Sequence, residues 1–262
     1  MHGRKLETLT RLGFAARGIM YVLIGLLALA TGRAEDGAGA MEYLGSGPGK
    51  ILLGLMAIGF VAYGLWRLAD AWLDSEGHGS DGKGMALRAG AAASGIIHLG
   101  LAYYAARLAS GNGGQGSGEG TQQGAATALS LPGGQTLVAL AAAALLLVGI
   151  YQLVKAAKVT FLRHMDGEAS RRPWVRMAGR LGYAARGIVF LIMAYFFFRA
   201  ATEESAGQAG GMGEALASLP GTVQLVVAFG LLLFGLFSFV EAKHRRISDS
   251  VGIAAGRARE VF

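Results

Sequence analysis

Residues Arg11 to Leu26 read RLGFAARGIMYVLIGL, and nearly the same string returns at Arg180 to Met193 as RLGYAARGIVFLIM. A degenerate third copy, RAGAAASGIIHLGL, occupies Arg88 to Leu101. Each copy opens an apolar run, and a second run follows each copy. A helix needs about 20 residues to cross roughly 30 Å of hydrocarbon. Six runs of that length lie near 12–31, 51–72, 88–109, 135–156, 181–200 and 222–242. The sequence therefore predicts an all-α polytopic membrane protein of six transmembrane helices, with little chain left for a soluble domain.

Composition agrees. Hydrophobic residues make up 53% of the 262 positions and charged residues 16%, and the charges avoid the runs. The net charge of +7 is spread unevenly. With the N-terminus inside, segments 1–17, 67–88, 155–186 and 243–262 hold 20 of the 24 Lys and Arg residues. The other side holds Arg33, Lys50, Arg107 and Arg199, against seven acids. This positive-inside split predicts cytoplasmic termini, and the richness in Ala, Gly, Leu and Arg, which resembles that of a high-GC bacterium, leads to the expectation of a bacterial cytoplasmic (inner) membrane location. It also makes basic charge a topology and anionic-lipid signal, so no nucleic-acid partner is expected. There is no cysteine, which removes thiolate metal sites, disulfides and cysteine nucleophiles. The first run is too long for a signal-peptide core and recurs inside the chain, so it reads as a retained span. No metal-ligand pattern, Walker sequence or catalytic triad is present, and no catalytic residue, metal or cofactor is assigned.

Small residues at Gly13, Ala15, Ala16, Gly18 and Gly25 give the first run a face on which helices approach closely in lipid. Trp66 and Trp72 sit at a span end, as interfacial anchors do. The stretch SGNGGQGSGEGTQQG reads as a flexible loop. Pro132 and Pro220 precede the fourth and sixth runs, where a missing N–H costs nothing. In the basic loop, Trp174, Val175 and Met177 interleave with Arg171, Arg172, Arg176 and Arg180. Two readings stand side by side: an amphipathic segment on the inner leaflet, or positive-inside charge alone.

The second runs align on YGLWRLADA from Tyr63, YQLVKAAKV from Tyr151 and FSFVEAKHR from Phe237. The chain thus divides into three two-helix repeats, 1–87, 88–179 and 180–262, in one membrane domain. An even number of spans per repeat makes the copies parallel, related by a pseudo-threefold axis along the membrane normal. The R-x-G-[FY]-A-A-R-G opening, its recurrence and the closing [FV]-E-A-[KR]-x-R-R resemble the bacterial membrane family catalogued as domain of unknown function 1206. That resemblance covers essentially the whole chain. It implies a six-span architecture of three two-helix repeats and supplies no activity. The middle copy departs from it, with Ser94 where the outer copies have Arg17 and Arg186.

Ionisable groups within spans are costly and are candidates for function. Copies one and three each carry an Arg in the first helix and an acid in the second, whereas copy two offers only Lys155 and Lys158 to Ser94. Intra-repeat ion pairs Arg17–Asp70 and Arg186–Glu241 are one expectation, and separate snorkelling to the interface is the other. His98 is the only histidine in the middle of a run, and its equivalents are Tyr21 and Phe190. These three rings are expected to stack at one level near the axis or at an inter-repeat contact, as lining residues of a ligand site or as plain core. Two functions follow: a small-solute or ion permeation or binding protein with its site near that axis, or a membrane scaffold or accessory subunit. The second would use a basic surface of Arg171, Arg172, Arg176, Arg180, Lys243, Arg245 and Arg246. The expected partners are the bilayer, anionic lipid, and another membrane protein or a second copy of the chain.

Overall fold

The computed structural model describes residues 2–74, 77–112 and 119–245. Among them there is no strand, and six helices are long and apolar enough to cross a membrane. We number these six α1 (His2–Thr31), α2 (Gly49–Leu73), α3 (Gly82–Ala109), α4 (Gly134–Lys158), α5 (Pro173–Thr202) and α6 (Gly221–His244). The protein is an all-α, multi-pass membrane protein.

Local chemistry sets the helix ends. Asp81 accepts the Gly84 N–H at 2.8 Å and starts α3 six residues before the 88–109 run predicted from hydropathy. Pro173 occupies the first turn of α5, so Trp174 to Arg180 form the opening turns of that span and no separate surface helix. α2 and α4 end on left-handed residues at equivalent places, Asp74 (φ +51°) and Val159 (φ +54°). Short helices Gly37–Glu42, Glu119–Leu129 and Met212–Ala217 lie in the loops of the acidic side. The middle one falls where the sequence suggested a flexible loop, whose residues 113–118 lie outside the described ones.

Packing between the spans repeats three times. α6 meets α1, α2 meets α3, and α4 meets α5, so each close interface joins one repeat to the next. Glycines face each other across all three. A Cβ on Gly18 would lie 3.1 Å from the Gly235 carbonyl, one on Gly95 2.9 Å from that of Gly64, and one on Gly187 3.1 Å from that of Gly149. Without side chains at these crossings the backbones come into direct contact, the mode by which helices associate where lipid removes the hydrophobic driving force. Phe239, Leu68 and Leu153 then flank the three crossings at the same offset.

These contacts correct the register of the second helices. Gly64, Gly149 and Gly235 are equivalent, so Trp66 aligns with Tyr151 and Phe237, three residues from the Tyr63 alignment expected from the aromatic pattern. Asp70, Lys155 and Glu241 become equivalent in turn.

Within a repeat, the two spans pack in copies one and three only. There Gly13 lies against Tyr63 and Gly182 against Phe234, and a Cβ would come within 2.5 Å and 2.7 Å of them. Gly59 and Gly230 make the matching approach to Ala16 and Ala185. In the middle repeat the position of these latter glycines is Ala144, whose methyl group obstructs the approach, and Val148 replaces the large ring. Gly90, the counterpart of Gly13 and Gly182, is exposed and faces open space within 4 Å. α3 and α4 accordingly form no packed pair, and only 17% and 22% of their apolar windows are buried, against half or more in α1, α2 and α6. The ring of helices is open along this seam. Towards the acidic side the core is closed, with Met41, Ala215 and Leu216 all fully buried.

Candidate functional site

An intramembrane guanidinium needs partners, because the hydrocarbon supplies none. Arg17, 6% exposed, has a complete set. Its Nε donates to Ser238 Oγ at 3.2 Å, one terminal nitrogen donates to Tyr63 Oη at 3.0 Å, and the other pairs with Glu241. Phe14, Tyr63 and Phe234 present ring faces to it. Glu241 also accepts from Arg245 at 2.8 Å, and Arg245 stacks over Phe14 and Trp66. Tyr63, Arg17, Glu241 and Arg245 form one buried network joining α1, α2 and α6.

This geometry replaces the expected intra-repeat pairs. Arg17 takes its acid from the third repeat, because helices of neighbouring repeats make the closest interfaces. Asp70, fully buried, is met instead by Arg67 at 3.2 Å and by His78 at 3.5 Å. Arg186 does not pair with Glu241, whose two oxygens face Arg17 and Arg245.

The threefold relation says what stands opposite each first-helix position. Arg17 meets Glu241, Ser94 is placed opposite Asp70, and Arg186 opposite Lys155. The middle repeat therefore supplies a base where its counterparts supply acids. Arg186 sits 13 residues into a 30-residue helix, about 20 Å from its start at 1.5 Å per residue. Among the described residues it makes no ion pair, and its buried Nε has no hydrogen-bond partner. Ring faces surround it: Phe234 at 4.4 Å, Tyr21 at 5.2 Å and Phe190 at 5.4 Å. Lys155 Nζ lies 4.5 Å from the Tyr183 ring, which packs edge-on against Phe234.

His98 holds on α3 the place of Tyr21 on α1 and Phe190 on α5. Its Nδ1 is 2.7 Å from the Ser94 carbonyl, an acceptor only, so Nδ1 carries the proton and Nε2 the lone pair. That Nε2 is buried without a partner. The ring lies 4.4 Å from Tyr63, as Tyr21 lies 4.8 Å from Phe234. Tyr21, His98 and Phe190 are thus at equivalent positions but do not stack on one another: Tyr21 and His98 project toward the preceding repeat, and Phe190 lies against Arg186 of its own helix. The Arg186 guanidinium stands between Tyr21 and Phe190, and its field, with those of Arg17 and Arg67, reaches His98.

On the basic side, Arg171, Arg172, Arg176, Arg180 and Lys243 are exposed, and Arg172 pairs with Glu168. Arg245 belongs to the buried network and not to this surface, because Glu241 draws it inward; Arg246 lies outside the described residues. A shallow groove there is lined by Arg172, Trp174, Phe239 and Lys243. Asp166 ties the neighbouring loop to α6 by accepting the Ala169 N–H and pairing with His244 at 2.8 Å. The Ala169 N–H, and then His244, hold this carboxyl below the ordinary carboxylate range.

Sequence reading passed over Tyr63, Ser238 and Phe234, which complete the cation cradles. The signal was available in the spacing of Gly64, Gly149 and Gly235, each followed six residues later by Asp70, Lys155 or Glu241. The same three units emerge when the chain is compared with protein families: the model of the Domain of Unknown Function (DUF1206) matches residues 12–74, 89–159 and 181–245. The chain belongs to the DUF1206 family. Its matched segments end four residues after Asp70, Lys155 and Glu241, in the register of the glycine crossings. The chain is also 31% identical over 251 residues to the uncharacterized protein YxxB of Bacillus subtilis (strain 168), covering 91% of this chain and 90% of that protein. No solved structure matches.

Proposed function

We propose that this DUF1206 member is a binding protein for a small anionic solute, with an intramembrane site at the inter-repeat axis centred on Arg186 and bordered by Tyr21, Phe190 and His98. The observation that carries this reading is an intramembrane guanidinium without an acid, at the position where its counterpart Arg17 has Glu241. An unneutralised charge at that depth is expensive, and an anionic ligand removes the cost. The buried lone pair of His98 adds an acceptor for a hydroxyl or a water of the bound group. Binding is favoured over permeation because the core is closed by Met41 and Leu216 on the acidic side.

The test is titration calorimetry of purified protein in uncharged detergent, with sodium hexanoate at constant ionic strength. A saturable heat in the parent chain and none in Arg186→Gln is the expected result. Equal heats in both would refute the site.

The basic groove of Arg172, Trp174 and Lys243 supports a second reading, contact with anionic lipid or another membrane protein at the face bearing most of the Lys and Arg. The same charge split supports cytoplasmic termini, and the composition and the Bacillus relative support a bacterial cytoplasmic membrane. Because the chain has no cysteine, single cysteines at exposed Arg172 and half-buried Lys50 report the orientation. Labelling by a membrane-impermeant reagent in intact cells is expected at position 50 and not at 172, and the reverse would invert the topology.

A further inference from the structure

We propose that the ligand reaches Arg186 sideways from the bilayer, through the seam between α3 and α4, and is an amphiphile with an anionic head and a single apolar chain. This rests on the anion site proposed above and goes further by naming the route and the ligand class.

Three observations meet here. The first is the seam itself. Two of the three repeats close their internal interface with a glycine against a ring, and the third leaves Gly90 facing open space, with Ala144 and Val148 where contact would require glycine and a large aromatic. The second is the different exposure of the two equivalent arginines. Arg17 is buried, whereas Arg186 is half-buried at mid-helix even though α4 and α6 pack on both flanks of its helix. Its accessibility therefore comes from the axis side, and the seam is the missing wall of that side. The third is chemical. The two helices beside the seam are poorly buried and expose apolar residues, Ile97 and Leu147 among them, while the cation lies within the 181–200 run, toward its basic-side end.

A freely soluble anion would have to shed its hydration and cross hydrocarbon to use this path. An acyl chain lies in hydrocarbon already, so its tail can remain in the seam while the head turns inward to the guanidinium. A head group alone would gain only the charge contact, whereas the chain adds about 0.8 kcal/mol for each buried CH₂. Neither the closed end of the core nor the glycine-tight interfaces offers a comparable entry. A second copy of the chain seated in the seam would be a different way to cover it, and the experiment separates the two.

The protein is placed in phosphatidylcholine nanodiscs with nitroxide-labelled stearate, and with the methyl ester of the same molecule as the uncharged control. A motionally restricted stearate component is expected in the parent chain and not with the ester. In Arg186→Gln the affinity of that component should fall by about tenfold or more, as when one charge-assisted contact is lost. Arg186→Lys should retain most of it, which separates charge from misfolding. Gly90→Trp fills the seam at a site where the fold leaves room. It should abolish the stearate component while hexanoate still binds in detergent. If hexanoate binds and stearate is never restricted, the lateral route is wrong and the anion site stands. If neither binds, both fall. Equal restriction in the parent, Arg186→Gln and Gly90→Trp would mean an unspecific boundary layer and would overturn the proposal. So would a dimer cross-linked through Gly90→Cys that excludes stearate.

Discussion

At the scale of single residues, the contrast between Arg17 and Arg186 follows from one substitution in the opposing helix. Glu241 is shared by Arg17 and Arg245, and its removal would leave two buried cations without a carboxylate. Glu241→Gln should cost about 3–5 kcal/mol, the usual penalty for breaking a buried pair, and should appear as a large fall in thermal midpoint in detergent. A loss below about 1 kcal/mol would mean that water or lipid serves the guanidiniums instead. Asp166 makes a smaller, pH-dependent contribution. Its carboxyl is held below the ordinary range in the folded protein, so its contribution is present above the unfolded value of about 4 and disappears as pH falls through the folded value. Asp166→Asn should thus be less stable than the parent at pH 7, with the two converging in acid. A difference that persisted unchanged to low pH would contradict the Asp166–His244 tether.

At the scale of helices, glycine placement decides which pairs close. Gly13 and Gly90 occupy the same position in repeats one and two but have opposite surroundings. Gly13→Ala brings a methyl group against Cβ and Cα of Tyr63 and should destabilise by about 1–3 kcal/mol. Gly90→Ala meets open space and should be neutral or stabilising, by up to about 1 kcal/mol from helix propensity. Thermal melts of the two variants test this directly, and equal penalties would mean that α3 and α4 pack as the outer repeats do. Much of this level was legible in the sequence. Six spans, three parallel repeats and the odd middle copy follow from run length and from the strings at Arg11, Arg88 and Arg180. The second-helix register was not legible from aromatics, because Tyr63 and Phe237 look alike while lying three residues apart in the repeat. Nor could the sequence say that the tight interfaces join neighbouring repeats. A repeated string suggests partners inside the unit, but in the folded chain Arg17 of repeat one finds Glu241 of repeat three.

At the scale of the whole molecule, the three repeats make a ring with one interface missing, and charge and shape fail at the same place. The middle repeat has lost its arginine (Ser94), its acid (Lys155), its large ring (Val148) and its glycine (Ala144). The glycine and the ring close the outer copies internally, and the arginine and the acid join one repeat to the next. What remains is a cation inside a span with an opening beside it, and these two features carry the proposals for binding and entry. The arginine itself was visible in the sequence as a charge in an apolar run. Its missing acid became visible only when the glycine crossings fixed Lys155 as the counterpart of Glu241. Restoring that acid is the most direct test. In Lys155→Glu a carboxylate stands opposite Arg186 as Glu241 stands opposite Arg17. The expected result is a thermal midpoint higher by about 2–4 °C or more, together with loss of the saturable hexanoate heat. Hexanoate binding with undiminished affinity in Lys155→Glu would contradict the claim that Arg186 awaits an anion.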